Sequence, residues 1–416
     1  MIEKLKKRFA IDIELLGYLG PGFLVTVGFI DPGNWATNIA AGSSFNYALL
    51  WVVSLSTLML IFLQHMAAHL GIVTGECLAE ACRRHFPAWA NWLFGVSIMA
   101  ACIATALATF LGAAIGLMLL TGIPVAASAV IAGVVVLTLV SVQKYDSIEH
   151  LIIAFISIIG FCYLIEIFIV KPDLPMAAAG AVIPTIDSGS IFIAMGILGA
   201  VVMPHNLYLH SEVIQRRNWS ASTPERKRRL LRYEFLDTLL AMGAGWLINC
   251  AMVVVAAAVF FRNGVSVDDV AQAGETLRPL AGNLSGAVFA AALLCAGISS
   301  SITACLAGGT VFTGFLGKEV VPHRPWFRTG VFITAAPAIV LIIFLTDSYK
   351  ALIWSQVVLS LQLPLTIIPL IILTRSRRVM GEFANGRYEN LLMYICGAII
   401  IGLNGLLLLS FMGVKF

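Results

Sequence analysis

Long, nearly uncharged apolar runs dominate the chain. Residues 91–120, 236–261, 329–346 and 391–412 are clear examples. A helix needs about 20 apolar residues to cross the hydrocarbon core of a bilayer. The strands of a membrane barrel alternate apolar and polar positions, which these runs do not. The pattern therefore predicts an all-α membrane protein built from spanning helices.

Eleven such helices are predicted within one transmembrane domain that covers residues 1–416. Their predicted bounds are 15–42, 46–73, 91–120, 124–143, 150–171, 190–214, 236–261, 284–315, 329–346, 351–373 and 391–412. Composition supports the assignment, because only 12% of the residues are charged and 60% are hydrophobic. Soluble domains carry about 25% charged residues, so a water-soluble fold is excluded.

The basic residues between the spans predict the orientation of the chain. With the N-terminus inside, 21 of the 26 lysines and arginines fall in inner segments and 5 in outer ones. Inner loops of membrane proteins carry such an excess, so we expect a bacterial-type inner-membrane protein with a cytoplasmic N-terminus and an outer C-terminus. The basic stretch ERKRR at 225–229 is then a cytoplasmic loop on the membrane surface and not a nucleic-acid patch.

Two spans contain a helix-breaking motif near their middle. The first carries DPGN at 31–34 and the sixth carries MPHN at 203–206. Proline lacks a backbone donor and clashes with the preceding turn, so each span is expected to break there. Interrupted helices at matching positions of two halves indicate an inverted-repeat transporter with its site at the breaks.

The residues at the two breaks offer a mixed set of ligands for a cation. Asp31 brings a charged oxygen, Asn34 a neutral oxygen and Met203 a soft thioether. An aspartate costs at least about 2.5–3.5 kcal/mol at the centre of a spanning helix, which favours a role for Asp31 over a simple turn. The prolines also free the carbonyls of Gly28 and Ala200. Oxygen ligands suit Mg²⁺ or Ca²⁺, and sulfur shifts the preference toward transition metals.

Further polar side chains at membrane depth have more than one interpretation. Gln356 and Gln362 in the tenth span and Asn249 in the seventh need partners. Each either lends an oxygen to the ion or satisfies neighbouring polar groups of the protein. His205 suits a ligand, a proton acceptor or a packing residue, and we favour a proton or gating role.

Six motifs occur together along the chain. They are GPGF at 20–23, DPGN at 31–34, LAEACRRHFP at 78–87, MPHNLYLHS at 203–211, SQVVLSLQLP at 355–364 and MGEFANG at 380–386. In this order they resemble the Nramp metal transporters (natural resistance-associated macrophage proteins). The resemblance covers nearly the whole chain. It implies a LeuT-type fold, with inverted repeats at about 15–171 and 190–373 and an extra helix at about 391–412, and uptake of Mn²⁺ or Fe²⁺, usually with protons.

The resemblance also implies roles for individual residues. The metal ligands that it implies are Asp31, Asn34, Met203 and the carbonyl of Ala200, with the carbonyl of Gly28 in the inward-open state and Gln356 in occluded states. It associates His205 and His210 with proton movement and gating, and Glu166 matches an acid of the family's fifth span.

The third span departs from the family pattern. Family members carry acids along this helix, but alignment on Gly112 places Met99, Ala106 and Thr109 at those positions. A proton route needs groups that bind and release protons, so we expect weak or absent proton coupling. An Nramp-related branch of magnesium transporters is known for uncoupled transport, yet this chain keeps Met203. We expect Mn²⁺ as substrate, with Fe²⁺, Cd²⁺ and Mg²⁺ as further candidates; the alternative is an uncoupled Mg²⁺/Mn²⁺ transporter.

Other classes are less compatible with these residues. A LeuT-type amino-acid symporter presents backbone donors to a substrate carboxylate, which Asp31 would repel. A channel uses rings of ligands from several subunits, and no enzyme motif occurs. We expect a monomer whose partners are divalent ions and the lipid bilayer, with no nucleic acid, no cofactor and no enzymatic activity. The roles of His65, His69 and Glu212 stay open.

Overall fold

The computed structural model describes most of the chain, and every regular element in the described residues is helical. The described residues are Gly22, Thr26 and 30–142, 165–186, 188–217, 219–265, 267, 269, 283–322 and 324–414. The α-helices are α1 (Pro32–Phe45), α2 (Leu50–Thr74), α3 (Leu78–His85), α4 (Ala88–Thr121), α5 (Val125–Val142), α6 (Leu174–Gly180), α7 (Ile191–Val202), α8 (Pro204–Val213), α9 (Pro224–Val259), α10 (Asn283–Phe315), α11 (Pro325–Phe344), α12 (Ser348–Arg375), α13 (Arg377–Met380) and α14 (Arg387–Phe411).

These helices occupy the predicted spans. Within the described residues, 8 helical segments are long and apolar enough to cross a membrane, α7 and α8 counting as one, and α5 is a shorter apolar helix. With α1 and the helical end at 165–170, they fall on all eleven predicted spans. The rest of the predicted fifth span, and most of the first span before residue 30, lie outside the described residues.

Small residues allow the central helices to approach closely. A Cβ atom added to Gly297 of α10 would lie 2.3 Å from the backbone nitrogen of Ala113 in α4. One added to Gly42 of α1 would lie 2.4 Å from the carbonyl oxygen of Val253 in α9. Helices in membranes associate through such packing rather than through a hydrophobic driving force. These close approaches pack α10 against α4 and α1 against α9.

The expectation of a loop at ERKRR is wrong. Helix α9 begins at Pro224, so residues 225–229 form its first turns. Thr223 caps this end, its hydroxyl accepting from the backbone nitrogen of Arg226 at 3.4 Å, and proline at the first helical position is pre-organised for helix. The apolar run marks only the part of α9 within the bilayer, whereas the helix continues beyond it.

The basic connections gather at one end of the molecule. Lys227 Nζ donates to the carbonyl oxygen of Val73 at 3.1 Å, and Arg228 donates to Glu382 at 2.9 Å. The C-terminal end of α2, the N-terminal end of α9 and the segment after α13 therefore lie close together.

Candidate metal centre

The first break places a carboxylate at the start of α1. Asp31 is the N-cap of this helix, with φ −87° and ψ 163°, and Pro32 occupies its first turn. The Asp31 Oδ1 atom accepts a hydrogen bond from the backbone nitrogen of Asn34 at 2.8 Å. An N-cap aspartate satisfies one of the free amides of a helix start, so the local sequence fixes where Asp31 points.

The second break separates α7 from α8 at one residue. Met203 lies between them with φ 40° and ψ 91°, a backbone conformation that costs a non-glycine residue about 1–3 kcal/mol. Because Pro204 has no amide hydrogen, the carbonyl of Ala200 loses the donor that a continuous helix would supply. The sixth span is thus broken where the sequence predicts.

The two breaks meet. The Asn34 Nδ2 atom donates to the freed carbonyl oxygen of Ala200 at 2.9 Å and lies 3.2 Å from Asp31 Oδ1. One side-chain amide therefore links a carboxylate of the first half of the chain to a backbone oxygen of the second half. The structure brings Asp31, Asn34 and Ala200 together, whereas Gly28 lies outside the described residues.

Helix α12 covers the same place. A Cβ atom on Gly33 would lie 1.8 Å from Gln356 Nε2, so only glycine lets this amide lie against the first break. A Cβ atom on Gly199 would lie 2.0 Å from the carbonyl oxygen of Gln356, so α7 and α12 also touch there. Gln356 Nε2 donates to Ser355 Oγ at 2.9 Å. The Oε1 atom of Gln356 is not used in this hydrogen bond and can act as a ligand.

The site contains buried oxygens that the protein leaves unsatisfied. Asp31 and Gln356 are fully buried, and in the described part of the chain neither Asp31 Oδ2 nor Gln356 Oε1 has a hydrogen-bond partner. A buried carboxylate is costly unless a positive charge pairs with it. Met203 is buried too, and its sulfur accepts from Asn206 Nδ2 at 3.3 Å. Such a mixture of hard oxygens and a thioether suits a borderline divalent cation.

The third span passes directly behind the site without an acid. A Cβ atom on Gly112 would lie 2.0 Å from Pro32 Cγ, and Thr105 Oγ1 lies 3.2 Å from His205 Nδ1. Ala106 and Thr109 are buried on the same helix. Gly112 and Thr105 of α4 thus lie beside the first and the second break, and α4 contains no acidic residue.

Two of the polar side chains predicted as possible ligands, Gln362 and Asn249, are hydrogen-bonded to other protein groups. Gln362 bonds to Ser97 and Thr366 at 3.2 and 2.8 Å, and Asn249 accepts from Asn38 at 2.6 Å. These contacts support the interpretation in which both amides satisfy neighbouring groups of the protein.

Three further titratable candidates are buried. His210 Nδ1 lies 3.0 Å from Gln64 Oε1, and Glu166 and Glu212 are buried. The sequence interpretation missed Thr105, the partner of His205, and Glu234, which contacts His65. The sequence did offer a reason to consider Glu234, because it is an acid two residues before the predicted start of the seventh span.

Comparison with known proteins places this geometry in context. Residues 22–410 match the family model described as natural resistance-associated macrophage protein-like. A divalent metal cation transporter MntH of Caldanaerobacter subterraneus is 41% identical over 97% of this chain and 96% of its own length.

Solved structures agree with the predicted fold. The manganese transporter of Eremococcus coleocola is 30% identical, with a TM-score of 0.82 over 94% of this chain and 85% of its own. Mhp1, a nucleobase-cation-symport-1 family transporter, is only 16% identical, yet its TM-score is 0.63 over 94% of this chain and 91% of its own. The similarity to Mhp1 shows a shared fold and nothing about function. Together they confirm the predicted all-α, LeuT-type architecture.

Proposed function

The chain belongs to the natural resistance-associated macrophage protein (Nramp) family, and on that premise we propose that it imports divalent metal ions, Mn²⁺ foremost. Alternating access at the two helix breaks moves the ion, with the N-terminus in the cytoplasm and the C-terminus outside. The relatives bear the names of divalent cation and manganese transporters, which supports the substrate class.

One observation carries the proposal. Asp31 is a fully buried carboxylate with one oxygen unpartnered in the described residues, at the point where the two breaks meet. Burial of a carboxylate is costly, and a bound cation offsets that cost; the amide, carbonyl and thioether groups beside Asp31 are groups that coordinate metals. The proposed ligands are Asp31, Asn34, Met203 and the carbonyl of Ala200, with the carbonyl of Gly28 and the side chain of Gln356 joining in different states.

The substrate follows from the donor types. Mg²⁺ prefers oxygen ligands and keeps several waters, whereas a thioether favours softer transition metals. Met203 therefore supports Mn²⁺, with Fe²⁺ and Cd²⁺ as related substrates. The alternative, an uncoupled Mg²⁺/Mn²⁺ carrier, is favoured by one specific observation, which is the uncharged third span at Ala106 and Thr109. We propose that coupling along that helix is weak or absent.

A flux measurement tests the function. Protein in liposomes that contain a Mn²⁺-quenched dye is given external Mn²⁺, with Cd²⁺ and with an amino-acid mixture as separate competitors. Saturable quenching that Cd²⁺ inhibits and amino acids leave unchanged supports a metal carrier. Quenching no faster than in empty liposomes, or inhibition by amino acids, rejects it. The second outcome would favour the amino-acid symporter, although Asp31 would repel a substrate carboxylate.

A further inference from the structure

A cavity of about 470 Å³, which we name the α4–α10 cavity, lies between the first part of α4, the last part of α10 and helix α11. Toward the end of α4 the two helices are in backbone contact, because a Cβ atom on Gly116 would lie 2.6 Å from the backbone nitrogen of Leu294. Near the start of α4, a Cβ atom on Gly95 would instead lie 3.2 Å from a side-chain atom, Phe315 Cγ. The helices therefore diverge toward this end and leave the cavity between them.

The α4–α10 cavity has the depth of one leaflet of a bilayer. Its lining on α4 extends from Asn91 to Ile103, twelve residues along the helix, which at a rise of 1.5 Å per residue is about 18 Å. Half of the hydrocarbon core of a bilayer is about 15 Å thick. A fatty acyl chain of the surrounding lipid therefore matches the cavity in length.

Aromatic side chains place the mouth of the cavity at the membrane surface. At the start of α4, Trp89 and Trp92 are 72% and 63% exposed, and Trp326 is exposed at the start of α11. Tryptophan is enriched at the level of the lipid headgroups. Deeper along α4 the cavity is lined by apolar side chains, including the exposed Val96 and Ala100. The cavity is therefore open to lipid, with its mouth at the headgroups and its apolar part among the chains.

An arginine lies where the apolar cavity meets a polar one. Arg83 of α3 lines the α4–α10 cavity and also a polar cavity of about 630 Å³ beside it. A Cβ atom on Gly317 would lie 3.5 Å from Arg83 Nε, so the guanidinium lies over the end of α10. Among the described residues Arg83 has no ion-pair partner, whereas its neighbour Arg84 pairs with Glu76. A guanidinium in this position suits a phosphate, which arginine binds through two parallel hydrogen bonds.

The acids that line the polar cavity leave the charge of Arg83 available. Glu76 pairs with Arg84, Glu80 accepts from the backbone amide before the start of α3 at 2.8 Å, and Glu319 is exposed to water. Lys318, whose ammonium lies 5.7 Å from a tryptophan ring at the mouth, adds a second positive charge. The mouth of the α4–α10 cavity is therefore complementary to an anionic headgroup.

A buried amide at the same end has an unused acceptor. Asn91 lines the cavity and is 3% exposed, and its Nδ2 atom donates to the carbonyl oxygen of Phe315 at 3.4 Å. Its Oδ1 atom has no hydrogen-bond partner in the described part of the chain. A buried acceptor without a donor is costly, and a ligand hydroxyl can supply that donor. The choline group of phosphatidylcholine cannot, because its nitrogen carries no hydrogen.

We propose that the α4–α10 cavity binds one molecule of phosphatidylglycerol from the leaflet on the basic side of the protein. One acyl chain lies along α4, the phosphate pairs with Arg83, and a hydroxyl of the headgroup donates to Asn91 Oδ1. Basic pockets between spanning helices are a recurrent kind of site for anionic lipids. The predicted orientation of the chain makes this the cytoplasmic leaflet. The site shares no residue with the helix breaks, so it is independent of the proposed metal transport.

Native mass spectrometry of the purified, delipidated full-length protein in detergent tests the headgroup. Phosphatidylglycerol and phosphatidylcholine with the same acyl chains are added together, and the first bound lipid is identified. The wild type should prefer phosphatidylglycerol by at least about fivefold, the contribution of one arginine near an anionic headgroup. Arg83→Gln should bind the two lipids alike. Arg378→Gln is the matched control, because Arg378 is an exposed arginine of α13 that does not line the cavity, and it should keep the preference.

A second variant tests the acyl chain. Ala100→Trp places a large side chain in the cavity, which Ala100 lines. Excluding even two methylene groups of the lipid should weaken the binding of phosphatidylglycerol about fifteenfold. Ala127→Trp is the matched control, because Ala127 is an exposed alanine of α5 outside the cavity, and it should bind as the wild type does. Thermal melts check that all four variants are folded.

Three outcomes overturn the proposal. The first is equal binding of the two lipids by the wild type, and the second is a preference that Arg83→Gln retains. The third is displacement of the lipid by glycerol 3-phosphate at an equal concentration, which would make this a site for soluble phosphates. If Arg83→Gln fails to accumulate as folded protein, Ala100→Trp alone decides, and wild-type affinity in that variant rejects the site. Metal flux is not part of the measurement, so a failure of the proposed function would leave these results unchanged.

Discussion

Replacing Asp31 by asparagine separates the charge of this residue from its role in the helix. Asparagine and aspartate cap helices about equally well, so the bond from the backbone nitrogen of Asn34 at 2.8 Å can persist. The substitution removes one negative charge from a fully buried position. We expect a folded protein that no longer binds Mn²⁺ or Cd²⁺ at physiological concentrations.

The expected loss can be worked from the burial of Asp31. Two unit charges 4 Å apart attract each other by about 4 kcal/mol at an effective dielectric constant of 20, hence by about 8 kcal/mol for a divalent ion. The fold has already removed water from the carboxylate, so that cost is not met again on binding. If ion dehydration cancels two thirds of the attraction, about 2.7 kcal/mol remains, a loss of about a hundredfold in affinity.

Calorimetric titration of the purified protein with Mn²⁺ and Cd²⁺ measures this loss, and a thermal melt checks the fold. Asp347→Asn is the matched control, since Asp347 caps α12 by accepting from the backbone nitrogen of Lys350 at 3.0 Å outside the membrane. The control should bind as the wild type does. The apo melting temperature of Asp31→Asn should equal or exceed that of the wild type, because a buried unpaired charge is gone. An affinity of Asp31→Asn within about threefold of the wild type would mean that the charge of Asp31 does not contribute to cation binding.

Two further substitutions test the donor set and the packing. Met203→Leu, which keeps the volume and removes the sulfur, should weaken Mn²⁺ and Cd²⁺ binding more than Mg²⁺ binding in the same titration; equal losses for the three ions would mean that the thioether is not a ligand. Gly199→Ala should lower the free energy of unfolding by about 1–3 kcal/mol or more, because its Cβ would lie 2.0 Å from the carbonyl oxygen of Gln356. In thermal melts Gly243→Ala, whose Cβ meets nothing within 4 Å, should instead be neutral or slightly stabilising, and equal effects would contradict the packing described.

The spans and the breaks could be predicted because their causes are local. Long apolar runs mark the helices, and Pro204 removes the amide that would bond to Ala200, whatever the rest of the fold does. The predicted seventh span begins at residue 236, twelve residues after the true start of α9 at Pro224. An apolar run marks only the part of a helix that lies in the hydrocarbon core, and α9 extends beyond that part. The capping residue Thr223 was the available signal for the true start.

The contacts between helices could not be predicted in the same way. Asn34 and Ala200 are 166 residues apart, and no pattern in either segment shows that the amide of one reaches the carbonyl of the other. Gln356 and Gln362 lie in one span and look alike in sequence. Six residues rotate a helix by more than one and a half turns, so they face different neighbours. The family resemblance, not spacing, distinguished Gln356.

The partners of Glu234 could not be predicted from the sequence either. They are two histidines, His65 and His210, that come from other helices. The sequence indicates that His65 and His69 share a face of α2, and the structure places their rings 6.2 Å apart. It does not indicate which acid lies opposite. A titratable cluster of this kind becomes visible only when three helices are placed together.

Influx of Mn²⁺ and of Mg²⁺, measured side by side in the same proteoliposomes with an internal pH dye, shows whether the protein is a manganese carrier with weak proton coupling. We expect saturable Mn²⁺ uptake that Cd²⁺ inhibits, that persists in excess Mg²⁺ and that acidifies the lumen little. Equal uptake of Mg²⁺ would contradict the role given to the Met203 sulfur. Mn²⁺ entry no faster than in protein-free liposomes would contradict the proposed function itself.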